Sequence, residues 1–204
     1  MRLDDRAHES EGVAGNARLT GSAGAVIFAL LAIEGLTILR VHQLISVHVF
    51  VGVLLVPVVM LKSATTTYRA ARYYGGDPEY ARKGPPPVIL RVLGPFVVAL
   101  SLAVLGTGLA LIAAGRRAGW ILTAHKASFI LWFGVMTVHV LGHIVETPAL
   151  ALADWRSRRG RAARGAGLRI GVLLGTIAAG VALATLSLGW IGAWHHVLRF
   201  KPGR

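Results

Sequence analysis

Five apolar runs of the length that a lipid bilayer demands constrain this chain before anything else does. A hydrocarbon core takes about 20 consecutive apolar residues per helix, and only helices or closed barrels cross it with every backbone group paired internally. Such runs extend over about 21–39, 44–61, 88–114, 120–151 and 170–194. The composition agrees, with 54% of the 204 residues hydrophobic, 15% charged, and a mean hydropathy of +0.62. The expected fold class is therefore an all-α integral membrane protein of five transmembrane helices, an up-and-down four-helix bundle plus an additional helix.

The segments between the runs set orientation. Residues 1–20 form a polar tail of mixed charge, expected to be disordered and cytosolic, and 197–204 form a basic C-terminal tail. No signal-like apolar core precedes helix one, which is expected to act as an uncleaved insertion signal. Lys and Arg number fourteen in the segments on one side and six on the other. By the positive-inside rule this places the N-terminus in the cytosol and the C-terminus outside, in the cytoplasmic membrane. The net charge of +13 lies in these loops without interleaved aromatic rings, an arrangement that suits membrane lipid rather than nucleic acid.

Several chemistries drop out. There is no cysteine, so disulfides, cysteine-bound zinc, iron–sulfur clusters and thiolate haems are excluded. No GxSxG, HExxH or phosphate-binding glycine loop occurs, so nothing points to a stand-alone hydrolase. Lys62, Arg69, Arg72, Arg82, Lys83 and Arg91 flank the cytosolic ends of helices two and three, where lipid phosphates are their expected partners. Pro85 to Pro87 give a stiff approach to helix three, and Gly94-Pro95 is placed to kink it. Gly106, Gly108 and Gly115 on helix three, with Gly171, Gly175 and Gly180 on helix five, predict close helix packing. Gly171 and Gly175 would equally permit a homodimer face.

The chemistry sits in the histidines. Helix four reads "HKASFILWFGVMTVHVLGH", with three imidazoles in an apolar stretch. His139 lies fourteen residues after His125, and His143 lies eighteen after it. At 100° per residue all three share one stripe, and His125 stands about 21 Å from His139 along the axis. That is two depths, hence two candidate sites.

A haem b held between helices needs two neutral imidazoles facing each other from different helices. Helix two begins "VHQLISVHVFVGVLLVPVVMLK" and runs in the same direction as helix four, so His48 enters at about the depth of His125. His48 and His125 are the expected axial ligands of the iron, with Gly52 one turn below His48 letting a flat ring approach the backbone. His42, about 120° away around the helix, is a weaker ligand. Fourteen residues beyond His48, where a second pair would need its partner for His139, the residue is Lys62. His139 and His143 are left with several roles: a second, five-coordinate haem, a metal ion, or contact with a propionate or a quinone headgroup. Lys126, Arg40 or one of the cytosolic-side cations could pair with propionates. Glu34 on helix one is expected to pair with Arg40 or with a histidine across the bundle, and the tandem His195-His196 near Trp190 and Trp194 is expected at headgroup depth.

These residues carry a family resemblance. His48 in "HVFVG", and "HKASFILWFGVMTVH" with its fourteen-residue histidine spacing, resemble the membrane b-type cytochromes that anchor nickel hydrogenases and respiratory formate dehydrogenases, and short actinobacterial relatives of that group. The resemblance covers helices two to four, about half the chain, and departs from the family at Lys62. It implies haem b ligation and electron transfer between quinone and a partner redox subunit, as part of an oxidoreductase complex. Two other classes compete with it. A histidine-lined transporter or metal-handling protein would need more intramembrane carboxylates than Glu34. A cofactor-free anchor would use its histidines for packing or proton relay alone.

Overall fold

Backbone groups screened from water have to pair along their own segment, and the described residues are helical with no strand among them. The computed structural model describes residues 11–85, 87–115, 119–143, 150–152 and 165–190. Its helices are α1 (Glu11–Leu39), α2 (Val41–Tyr74), α3 (Pro78–Lys83), α4 (Val88–Ala114), α5 (Gly119–His143) and α6 (Ala166–Leu188). All but α3 are long and apolar enough to cross a membrane, which makes this a multi-pass membrane protein. Large apolar side chains point outward, among them Leu36, Ile130, Phe133 and Leu186, as lipid contact requires.

The chain reverses at Arg40, and α1 and α2 form an antiparallel hairpin. Its register is fixed by Asn16 Nδ2 donating to the Thr65 carbonyl at 3.2 Å, Lys62 Nζ donating to the Thr20 carbonyl at 3.3 Å, and Glu34 meeting His48. Leu44, at φ −109° and ψ 21°, breaks the first turn of α2, so regular helix begins where the apolar run does. A second antiparallel hairpin joins α4 to α5, tied near its middle by Trp132 Nε1 donating to the buried Ser101 hydroxyl at 2.9 Å.

At the centre stands α2, packed along both α1 and α6 and touching α4. The last helix is therefore no appendage to a four-helix core. Its small residues explain this: a Cβ on Gly180 would lie 2.8 Å from the Leu54 carbonyl oxygen and 3.1 Å from Pro57 Cγ, and Ala184 is fully buried against Val53 and Leu54. Gly171 and Gly175 have nothing within 4 Å, so the expected close approach runs through Gly180 and not through them.

Several boundaries differ from the sequence expectation. Helix one starts at Glu11, taking half of the expected disordered tail into the helix. The 34-residue α2 rises about 51 Å, well past a hydrocarbon core of about 30 Å, and carries its polar end beyond the apolar run. Helix four is continuous to His143, residues 150–152 are helical, and residues 144–149 lie outside the described residues. Residues 1–10 and 191–204, with His195, His196 and the C-terminal tail, also lie outside them.

The loop after α2 holds the unexpected α3. Asp77 caps it, accepting from the Glu79 and Tyr80 amides at 2.9 and 3.2 Å, with Pro78 in the first turn. Arg72 pairs with Asp77 and lies 5.9 Å from the Tyr68 and Tyr80 ring centres, while Arg91 donates to the Tyr74 hydroxyl at 2.6 Å. Both arginines, expected on lipid phosphate, are engaged within the protein. Burial, and next Tyr68 beside it, push the Tyr80 hydroxyl above its ordinary 10.0.

Two outcomes follow. Gly180→Leu should lower stability by roughly 1–3 kcal/mol through overpacking, and Gly175→Ala by no more than about 0.5 kcal/mol, as read by thermal unfolding in detergent. Because the folded-state value of Tyr80 is raised, its stabilising contribution is complete below pH 10 and is lost as pH climbs through the folded value. An alkaline titration followed by tyrosinate absorbance should show a late-ionising tyrosine that Tyr80→Phe removes.

Candidate functional site

Between the hairpins lies a cavity of about 2220 Å³, lined by residues of all the long helices except α6, apart from Arg169. Ligand pockets of small molecules are commonly about 300–1,000 Å³, so this space exceeds one such ligand. It exists because α5 buries no residue of its own among the described ones and is held through α4, standing away from α2.

Toward one end of the cavity His48 and His125 face each other, with ring centres 6.4 Å apart and planes at 79°. The expected pair is thus brought together, and each ring is fixed from behind. Nδ1 of His48 donates to Glu34 Oε1 at 2.8 Å and also lies 3.1 Å from the Thr37 hydroxyl. Nδ1 of His125 donates to the Val104 carbonyl at 3.1 Å and lies 3.0 Å from the Thr107 hydroxyl.

The Val104 carbonyl and the Glu34 carboxylate set the tautomer, since each can only accept from Nδ1, and the threonines agree with it. Thr37 gives its hydroxyl proton to the Glu34 carbonyl at 2.7 Å, and Thr107 gives its own to the Ala103 carbonyl at 2.7 Å. A hydroxyl has one proton, so toward the imidazole each threonine can only accept. Every neighbour of Nδ1 is then an acceptor, the proton stays on Nδ1, and the Nε2 lone pair of each ring is left for a ligand. This is the arrangement by which outer groups orient metal-binding histidines. The room is built in as well: a Cβ on Gly108 would lie 3.3 Å from His125 Cε1.

The other expected residues are placed as follows. Gly52 lines the cavity, and a Cβ there would make ordinary van der Waals contact with Glu34 Oε1 at 3.5 Å. Glu34 pairs with a histidine and not with Arg40. His42 and Lys126 are exposed, and Lys126 borders the cavity beside His125. His139 and His143 come together at the far end, rings 4.8 Å apart, where they line the cavity with Lys62. Among the described residues, no group of three or more His, Asp or Glu side chains converges to hold a metal ion.

Sequence reasoning missed Thr37, Thr107 and Val104, and named Gly108 for helix packing alone. Thr37 and Thr107 were legible as polar residues inside apolar runs. The Val104 carbonyl carries no sequence signal, since any residue would present it.

Nitrogen-15 NMR of histidine-labelled protein, purified without cofactor supplementation, should show His48 and His125 protonated on Nδ1 only. Removing both side-chain partners of His48, in Glu34→Leu with Thr37→Val, should abolish that signature for His48 and leave it for His125. Searches of the chain against protein-family models, curated proteins and solved structures find no match.

Proposed function

We propose that this protein is a membrane b-type cytochrome whose haem is held between His48 and His125, and that it passes electrons between quinone and a partner redox protein. The observation that carries the reading is the opposed, Nδ1-anchored pair. Metal–imidazole bonds of about 2 Å, plus roughly 1 Å from each nitrogen to its ring centre, call for ring centres about 6 Å apart across a shared metal. The 6.4 Å separation of the ring centres is compatible with that requirement.

Haem b supplies the one-electron chemistry when bound. The chain supplies the rest. His48 and His125 offer lone pairs from two different helices, and the rings cannot swap nitrogens while Glu34, Thr37, Val104 and Thr107 hold the Nδ1 protons. Hydrogen bonding of His48 to a carboxylate makes it the more electron-rich ligand and favours the oxidised state. Leu105, Leu109 and Val49 give the same cavity apolar walls. Lys126 is placed to meet a carboxylate near His125. The volume beyond a single ring leaves space for a quinone or a second haem near His139 and His143. The balance of basic loops supports a cytoplasmic membrane location with a cytosolic N-terminus.

The test is a reduced-minus-oxidised absorption spectrum with a pyridine haemochrome count on protein expressed with ample haem. A b-type spectrum is expected, and His48→Ala and His125→Ala should each abolish the bis-histidine signature. A ratio of one haem per chain leaves His139 and His143 free of a second ring; a ratio of two assigns them one. A colourless protein overturns the reading.

A further inference from the structure

The end of the cavity farthest from His48 is where its basic side chains gather. On α2, Lys62, Thr66, Arg69 and Tyr73 recur at spacings of four, three and four residues, forming one stripe, and all four line the cavity. His139 and His143 of α5 line it at the same level. Among the described lining residues Glu34 is the only acid, and it is bound to His48 at the opposite end, about 21 Å away along α2 from Lys62.

Two sheltered polar groups lie at this end. Lys62 Nζ carries three protons and gives one to the Thr20 carbonyl at 3.3 Å. His139 Nδ1 is the buried side-chain polar atom that lacks a hydrogen-bond partner among the described residues. A sheltered cation without a counter-charge is costly, and so is a sheltered polar atom without a hydrogen-bond partner. Among the described residues no carboxylate lies within reach of either, and a ligand from the membrane can supply the charge.

Depth and walls narrow its chemistry. Lys62 lies 21 residues into α2, about 32 Å from the helix start, which is the far edge of a hydrocarbon core and hence phosphate depth. Above it the cavity walls are apolar, with Leu55, Val59 and Val98 among them. We propose that this end of the cavity holds the headgroup of an acidic phospholipid. Its phosphodiester lies among Lys62, Arg69 and His139, and its acyl chains run along the apolar walls toward the bilayer centre. None of these residues belongs to the His48–His125 pair, so the inference stands apart from a haem at that pair and competes with a second haem or a quinone at His139.

The experiment is native mass spectrometry of the full chain in mild detergent after extensive washing, with phosphatidylglycerol or phosphatidylcholine added back. Retention of phosphatidylglycerol over phosphatidylcholine is expected. Lys62→Gln with Arg69→Gln should weaken it roughly thirty-fold, at about 1 kcal/mol per removed cation. Lys62→Arg should keep it, which separates lost charge from lost fold, and His125→Ala should leave it unchanged whether or not haem is present. Equal retention by wild type and the Gln variant, or no preference over phosphatidylcholine, overturns the proposal. So does displacement of the lipid by millimolar inorganic phosphate, which would show that the site reads a free anion.

Discussion

A polar side chain inside an apolar slab has to find a partner, and in this bundle that demand fixes what each histidine can do. Thr37 and Thr107 spend their protons on their own helices and turn lone pairs toward His48 and His125. Glu34 and the Val104 carbonyl add acceptors on the same nitrogen. Four acceptors around two Nδ1 atoms leave no freedom of tautomer, so both rings offer Nε2. The orientation of the two rings is thus set by α1 and α4, which carry neither histidine. Those helices stay in place because of contacts far from the rings, such as Asn16 with Thr65 and Trp132 with Ser101.

The position of α2 explains why the interior has two unlike levels. It alone packs on α1, α4 and α6, and its stripe from His48 to Lys62 spans the depth of the cavity. On α5 the same fourteen-residue step leads from His125 to His139. One level therefore sets imidazole against imidazole, and the other sets imidazole against a cation. The first arrangement suits a metal centre with neutral ligands, while the second suits an anion. One helical period repeated on two helices creates both.

The long helices were legible because the bilayer imposes one length and one composition on all of them. Their ends were not, since beyond the apolar run a helix continues on propensity and local pairing, as α2 does to Tyr74 and α1 does from Glu11. The short α3 was written plainly in Asp77-Pro78-Glu79, a cap, a first-turn proline and a first-turn acid, but a loop expectation masked it. The facing of His48 and His125 was readable from depth and stripe, whereas their backing was not, because a backbone carbonyl and a glycine's empty space belong to the fold rather than to a residue type. Gly180 looked no different from Gly171 and Gly175 in sequence. Only the position of Leu54 and Pro57 makes it the one that matters. Arg72 and Arg91 likewise read as lipid anchors until Asp77 and Tyr74 were placed beside them.

The cavity divides the molecule into two parts, α1 with α2 and α6 on one side and α4 with α5 on the other, joined by a modest contact between α2 and α4. Whatever occupies that space touches both parts at once and therefore does mechanical work as well as chemistry. A group that binds only when the halves are docked stabilises the docked form in proportion to its concentration and affinity. Cohesion of the two halves is in this sense a titratable property of the membrane around them, set by the supply of the molecules that fill the gap.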